Sequence, residues 1–208
     1  MNQYLSELNK LPSKKIESQL RKYATDNKVP IVSESGLFYL LLLIQLLDAK
    51  NILEIGTAIA YSTIQMALLR PDIFIDTIEK SEEMAKIARD NIKNAKVEKQ
   101  ITLVQADALD YNEQDLKENY DLIFIDAAKA QYINFFEKYE KRLRKGGIIV
   151  SDNLLFHGLL TTKEKIDSRN LRALIRKIRD YNDWLSKNKK YDTQFLEIGD
   201  GMAVSLKK

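Results

Sequence analysis

Cysteine is absent from the 208 residues of this chain. Its absence excludes disulfide bonds, zinc sites built from thiolates and a cysteine nucleophile, and it is typical of a reducing compartment. Residues 1–15 contain no apolar run like that of a signal peptide, and the most hydrophobic stretch, Leu37 to Leu47, is too short to span a membrane. We therefore expect a cytoplasmic protein with no membrane partner.

A large excess of charge of either sign is also lacking, since 33 Lys and Arg stand against 30 Asp and Glu, for a net charge of +3. Net charge therefore does not by itself indicate a nucleic-acid partner, and only a local concentration of charge would. What the chain does have is a hydrophobic content of 45% over 208 residues. This is enough for one domain, 1–208, with a substantial core.

Beyond residue 50, short apolar runs alternate with amphipathic segments. The runs predict strands at Ile52–Ile55, Ile73–Ile78, Ile101–Val104, Leu122–Ile125 and Ile148–Val150. The segments between them predict helices at Tyr61–Leu69, Ser81–Asn94, Glu113–Glu118 and Ala130–Arg144, with Pro71 and Gly146–Gly147 as stops. This alternation indicates an α/β fold with a parallel, doubly wound sheet and helices on both faces.

The two ends of the chain depart from this alternation. Residues 1–48 predict N-terminal helices, Ser13–Tyr23 and Glu34–Leu47, that cover the site. At the other end, strand-like Tyr191–Ile198 and Met202–Leu206 flank the turn sequence Gly199-Asp200-Gly201, which predicts an antiparallel hairpin. A mostly parallel seven-stranded sheet finished by such a hairpin is typical of the Rossmann-like class I methyltransferases.

The first strand runs into the turn sequence Glu54-Ile55-Gly56-Thr57-Ala58-Ile59-Ala60-Tyr61-Ser62, where Gly56 lets a ligand approach the backbone. Ala58 and Ala60 stand where a phosphate-binding turn would carry more glycine, which favours a ligand without phosphates. Glu79 ends the second strand and could accept the hydroxyls of a ribose, while Asp107, after the third, could flank an adenine. Each acid alone is more often a solvated strand cap than a ligand contact, but together, on successive strands, they favour an adenosyl ligand.

Oxygen-bearing side chains follow the next two strands. Asp126 ends the fourth strand, and Asp152 and Asn153 end the fifth, so the three converge at the edge of the sheet where such folds bind ligands. Two carboxylates and an amide oxygen suit a hard cation such as Mg²⁺, although ordinary strand capping explains the same pattern. Lys129 follows Asp126 by three residues and is a candidate catalytic base, the alternative being a surface lysine.

Positive charge is concentrated in residues 161–179, where seven basic residues oppose two acidic ones. The basic residues predicted to bind RNA phosphates are Lys163, Lys165, Arg169, Arg172 and Arg176. A solvated helix face is the alternative interpretation. Near this segment, His157 is interpreted as a rim residue of the site, with a hydrogen-bonded structural role as the alternative. Phe156 and Tyr132 could stack on a base or simply pack in the core.

These residues resemble the metal-dependent O-methyltransferases that include the catechol and caffeoyl-CoA enzymes. The resemblance extends over most of the chain and rests on Leu53-Glu54-Ile55-Gly56 through Tyr61-Ser62, Glu79, Phe124-Ile125-Asp126-Ala127-Ala128-Lys129 and Ser151-Asp152-Asn153. It implies an S-adenosylmethionine site formed by Val32, Glu54, Gly56, Tyr61, Ser62, Glu79, Asp107, Ala108 and Asp126. It also implies a Mg²⁺ site at Asp126, Asp152 and Asn153, with Lys129 and Asp126 as catalytic residues.

Within that family the chain is most similar to the bacterial tRNA 5-hydroxyuridine methyltransferases. This likeness rests on five segments: Gly56-Thr57-Ala58-Ile59, Asp126-Ala127-Ala128-Lys129-Ala130-Gln131-Tyr132, Asp152-Asn153-Leu154-Leu155-Phe156-His157-Gly158, Tyr181-Asn182-Asp183-Trp184-Leu185 and Gly199-Asp200-Gly201. It implies a tRNA anticodon partner and a homodimer. A small-molecule catechol or phenol methyltransferase and a noncatalytic nucleotide-binding module are the alternatives, and Ala128, where plant caffeoyl-CoA enzymes carry an acid, argues against their substrate.

Overall fold

The seven predicted strands pair into a single sheet in a computed structural model, which describes residues 3–162 and 166–208. The strands are β1 (Asn51–Ile55), β2 (Phe74–Glu79), β3 (Ile101–Gln105), β4 (Tyr120–Ile125), β5 (Leu143–Ser151), β6 (Tyr191–Leu196) and β7 (Met202–Lys207). Their order is β3-β2-β1-β4-β5-β7-β6, and β7 is antiparallel to both of its neighbours. The remaining pairs are parallel, which confirms the predicted sheet and its terminal hairpin.

Helices cover both faces of the sheet, as predicted. They are α1 (Gln3–Leu8), α2 (Lys14–Asp26), α3 (Glu34–Leu46), α4 (Tyr61–Ala67), α5 (Glu82–Ala95), α6 (Tyr132–Tyr139) and α7 (Arg169–Lys187). One apolar core joins α2, α3, α4 and α5 to one sheet face through residues such as Leu37 and Ile64, and a second joins α6 and α7 to the other face through Phe136 and Tyr181. Burial of these two cores is the main stabilising contribution.

The largest error of the sequence prediction concerns β5. The sequence predicts a stop at Gly146–Gly147 between a helix and a strand, but both glycines lie within β5. Gly146 has a φ of +69°, and a Cβ at Gly147 would lie 2.9 Å from the carbonyl oxygen of Asp121, in the strand next to it. The register of β4 with β5 shifts at this point, so the glycines lie in an irregular part of the strand and not at a stop.

Two predicted helices are also shorter than expected. Glu113–Glu118 contains only a 3-10 turn, Glu113–Asp115, and Ala130–Arg144 divides into α6 between two 3-10 turns, Lys129–Gln131 and Glu140–Arg142. Amphipathic spacing does not distinguish a short α-helix from consecutive 3-10 turns, which explains both errors.

Strand register brings the predicted site residues to one level. Ile55 pairs with Ile78 on one side and with Ile125 on the other, and Ile125 pairs with Ser151. The residues that come next, Gly56, Glu79, Asp126 and Asp152, therefore follow neighbouring strands at the same edge. This is the edge at which open α/β sheets bind ligands.

Candidate active site

A cavity of about 870 Å³ opens at the carboxyl ends of β1, β2 and β4. Its wall is formed by the loop before α3, the turns after β1, β2, β3 and β4, the loop after β5 and the turn between β6 and β7. Most predicted site residues line it: Val32, Gly56, Tyr61, Ser62, Glu79, Asp107, Ala108, Asp126, Lys129 and Asn153. Glu54 and Asp152 do not, because both are completely buried behind the wall.

The turn between β1 and α4 requires a glycine at one position. Gly56 has a φ of +99°, its N–H donates to the carbonyl of Ile78, and a Cβ there would overlap the carbonyl oxygen of Asp126. Ala58 and Ala60 also have positive φ, +46° and +64°. The sequence could not predict this strain, which costs roughly 1–2 kcal/mol for each non-glycine residue in the left-handed region.

Glu79 fixes the same turn from the neighbouring strand. One of its carboxylate oxygens accepts the N–H of Ala58 at 2.8 Å, and the other accepts the N–H of Ser81 at 2.7 Å. Each oxygen keeps a second lone pair for a ligand hydroxyl in the cavity. Asp107, in the turn after β3, accepts from Lys80 Nζ at 2.6 Å and from the N–H of Leu109, and these bonds hold the pKa of its carboxyl below the usual value.

Glu54 supports the helix that faces the cavity. Its carboxylate accepts hydrogen bonds from the hydroxyls of Ser62, Thr63 and Thr77 at 2.5–2.6 Å. Burial raises the pKa of Glu54 to about 7 despite these bonds, and the charge of Asp126 adds to the increase. Glu54 therefore orients Ser62 from behind the wall.

Replacing Glu54 with Gln should change how stability depends on pH. The pKa of Glu54 is higher in the folded chain than in the unfolded one. The contribution of its protonated form to the free energy of unfolding is therefore fully present below about pH 4.5 and is lost as pH rises through about 7. Relative to E54Q, the wild-type protein should lose about 3 kcal/mol of unfolding free energy between pH 4.5 and pH 8. Urea unfolding across this range would test it, and parallel pH profiles for the two proteins would contradict it.

The helices that precede the sheet are tied to α4 by a polar network. The Tyr61 hydroxyl donates to a carboxylate oxygen of Glu17 at 2.7 Å, and Arg21 donates both to that oxygen and to the Tyr61 hydroxyl. Glu17 is buried although it lies on a largely exposed helix. The only signal in the sequence is the spacing of Glu17 and Arg21, and nothing in it identifies Tyr61 as their partner.

An acidic centre lies where β4 and β5 end. Asp126 Oδ1 accepts from Lys129 Nζ at 3.1 Å, and Asp152 donates its N–H to the carbonyl of Ile125. Neither carboxylate oxygen of the fully buried Asp152 has a hydrogen-bond partner among the described residues. Burial and the charge of Asp126 raise the pKa of Asp152 to about 7.

Asp126 and Asp152 fit a hard cation. Burying a carboxylate without hydrogen bonds beside a second carboxylate costs free energy unless a positive charge is present. Within residues 3–162 and 166–208, no group of three or more His, Cys, Asp and Glu side chains is placed to hold a metal ion. A third protein ligand would therefore be the amide oxygen of Asn153, which lines the cavity next to Asp152. Oxygen ligands of this kind suit Mg²⁺.

The predicted RNA-binding residues divide into three groups. Lys163 and Lys165 lie outside the described residues. Arg172 is exposed on α7, but its guanidinium donates to the carbonyls of Ile166 and Asp167, so it stabilises the preceding loop. Arg169 and Arg176 are exposed on the same helix, which contacts the turn Lys129–Gln131 beside the cavity.

Asp200 lines the cavity, although the sequence analysis gave it no role in the site beyond the segment Gly199-Asp200-Gly201. Its carboxylate accepts the N–H of His157 at 2.6 Å, and its carbonyl accepts the N–H of Leu155. The hairpin turn between β6 and β7 thereby holds the loop that follows Asn153. Phe156 and His157 lie in this loop with φ values of +46° and +56°, and both line the cavity.

Residues 4–208 match the family model described as O-methyltransferase. The chain belongs to this family. A catechol O-methyltransferase from Niastella koreensis is 34% identical over 82% of this chain and 79% of its own length. A Staphylococcus aureus structure, provisionally assigned as a caffeoyl-CoA O-methyltransferase, is 42% identical with a TM-score of 0.93 over 99% of this chain and 98% of that one.

An O-methyltransferase from Bacillus cereus, solved in complex with S-adenosylhomocysteine, is 29% identical with a TM-score of 0.84 over 100% of this chain and 96% of that one. The present chain is thus an S-adenosylmethionine-dependent O-methyltransferase of the caffeoyl-CoA and catechol type. In the part of this O-methyltransferase that the structure describes, no helix is long and apolar enough to cross a membrane.

Proposed function

We propose that this O-methyltransferase methylates the 5-hydroxyl of 5-hydroxyuridine at the wobble position of tRNA, using a divalent cation such as Mg²⁺. The observation that carries the proposal is the acidic centre beside the cofactor cavity, where Asp152 is buried without hydrogen bonds from the described residues, next to Asp126. Asp126, Asp152 and Asn153 would hold the cation. Two adjacent substrate oxygens would coordinate the cation, which would favour the ionised form of the hydroxyl. 5-Hydroxyuridine offers two such oxygens, its 5-hydroxyl and O4.

The residues of this chain supply the rest of the chemistry. Lys129 Nζ, in its unprotonated form, takes the proton of the substrate hydroxyl. The oxygen then attacks the methyl carbon of S-adenosylmethionine, the carbon–sulfur bond breaks, and S-adenosylhomocysteine is the leaving group. Gly56, Glu79 and Asp107 would hold the donor so that its methyl group faces the oxygen, which is a proximity effect.

An RNA substrate is favoured by the charge on α7. Arg169 and Arg176 are exposed, and no hydrogen bond or ion pair reaches either within the described ranges, so their guanidinium groups are available to phosphates. The ring of Tyr181 on the same helix packs 5.2 Å from that of Tyr132, which directly follows the turn carrying Lys129. The exposed arginines therefore lie on an element anchored to the active-site turn.

The test is methylation of an anticodon stem-loop RNA that carries 5-hydroxyuridine. The wild-type enzyme should methylate it in a Mg²⁺-dependent reaction. In the double variant R169A/R176A, the KM for the RNA should be about tenfold higher, and the slope of log KM against log salt should be lower by about 1 to 2. Lys187→Ala, at the opposite end of α7, is the matched control and should change KM by less than about twofold. Absence of methylation with wild-type enzyme would refute the proposal.

A small phenol is the second candidate substrate, because the Niastella koreensis relative is a catechol O-methyltransferase. Catechol carries adjacent oxygens but no phosphates, so R169A/R176A should leave its KM nearly unchanged. Methylation of catechol together with no reaction on the RNA would assign this second function.

A further inference from the structure

Asp200 is held rigidly at the wall of the cavity. One carboxylate oxygen, Oδ1, accepts the N–H of His157 at 2.6 Å, and the carbonyl of Asp200 accepts the N–H of Leu155 at 2.8 Å. The turn itself is tightly packed, since a Cβ at Gly201 would lie 2.7 Å from Leu155 Cγ and one at Gly199 would overlap Ser33 Oγ. The position of the Asp200 side chain is therefore set by the fold.

The second carboxylate oxygen of Asp200, Oδ2, is buried and has no hydrogen-bond partner in the described part of the chain. The imidazole nitrogen Nδ1 of His157 lies 3.6 Å away, beyond hydrogen-bonding distance, and the His157 side chain is 79% exposed. Buried acceptors are nearly always satisfied, and Asp200 lines the cavity, so a molecule bound there is a candidate donor to Oδ2.

The acidic centre and Asp200 share the cavity. Asp126, Asn153 and Asp200 all line it, and Leu154, which follows Asn153, donates its N–H to the carbonyl of Gly201, next to Asp200. Asp126, Asp152 and Asp200 do not form a three-carboxylate metal site among the described residues. Asp200 therefore stands next to the acidic centre as a separate hydrogen-bond acceptor.

We propose that Asp200 Oδ2 accepts a hydrogen bond from N3–H of the substrate uracil and so selects uracil over bases and phenols without that donor. This inference rests on the proposed function. When the 5-hydroxyl and O4 of 5-hydroxyuridine face the acidic centre, N3–H is the next group along the ring, beside O4. Cytosine presents an unprotonated N3 at this position, which would oppose the carboxylate, and catechol presents a carbon.

Asp200→Asn tests the inference with little change in shape. The amide oxygen of the new side chain can still accept the N–H of His157, which turns the NH₂ group toward the cavity, where it opposes N3–H. Loss of a hydrogen bond to a charged acceptor should lower kcat/KM for 5-hydroxyuridine by about 10- to 100-fold. The loss in kcat/KM for catechol should be at least about tenfold smaller. As a control for folding, calorimetry should show that the variant still binds S-adenosylhomocysteine.

A change in the substrate gives an independent measurement that needs no variant. N3-methyl-5-hydroxyuridine cannot donate, so the wild-type enzyme should use it with a kcat/KM about 10- to 100-fold lower than that for 5-hydroxyuridine. The penalty should be much smaller in Asp200→Asn, because two changes that remove one hydrogen bond do not add. Fully additive penalties, or equal losses on 5-hydroxyuridine and catechol, would overturn the role of Asp200, whereas a wild-type enzyme inactive on 5-hydroxyuridine would refute the proposed function itself.

Discussion

Replacing Asp152 with Asn should lower kcat/KM for methyl transfer by about 1000-fold while leaving the affinity for S-adenosylmethionine within about threefold of wild type. The carboxylate of Asp152 is fully buried and unpaired among the described residues, so among the ligands of the acidic centre it should attract a cation most strongly. An amide keeps the volume but removes the charge, and the electrostatic contribution of a catalytic metal is several kcal/mol. Single-turnover rates with Mg²⁺ in excess would measure the loss.

Thermal unfolding separates this explanation from simple damage to the fold. In chelator at about pH 8, D152N should melt a few degrees above the wild type, because an uncompensated buried charge has been removed. Added Mg²⁺ should raise the Tm of the wild type and leave that of D152N unchanged. Asp76→Asn is the control, since Asp76 is also buried but bonds to Tyr120 and Lys117 away from the cavity. A Mg²⁺-dependent shift that persists in D152N would show that the cation binds elsewhere.

Much of the fold could be predicted, and most of the predicted site residues do line the cavity, because the informative features are local. Each parallel strand is a short apolar run, and the polar residue that follows it marks the edge at which ligands bind. Glu79, Asp126 and Asp152 are found in this way, and strand register then places them together. Gly56 is identified by the same logic, since a strand-to-helix turn there needs a residue without a Cβ.

What the sequence could not show depends on contacts between distant segments. The bond of Tyr61 to Glu17 joins residues 44 positions apart, and that of Asp200 to His157 joins residues 43 positions apart. Glu54 is predicted to contact the cofactor because it lies in the turn motif, yet alternation along β1 turns its side chain behind the wall. Helical spacing assigns Arg172 to RNA but does not reveal the two loop carbonyls that it binds.

Lys129 is the residue for which charge and proton transfer can be separated most clearly. Its Nζ lies 3.1 Å from Asp126 Oδ1 in the cavity wall, and its side chain is only 19% exposed. Both Lys129→Met and Lys129→Arg should lower kcat by about 100- to 10,000-fold, because methionine has no amine and a guanidinium does not give up its proton. Steady-state kinetics at saturating S-adenosylmethionine and Mg²⁺ would measure both losses.

The arginine variant decides the role of Lys129, since a guanidinium supplies a positive charge beside Asp126 but cannot accept a proton. If the positive charge alone were needed to orient Asp126, K129R would retain most of the wild-type kcat, and that result would contradict a role as base. In Lys129→Ala, an added small primary amine should restore part of the rate, in proportion to the concentration of its neutral form. Rescue that instead follows the protonated amine would assign Lys129 to charge balance in the acidic centre, and the substrate proton would then have to leave through another group.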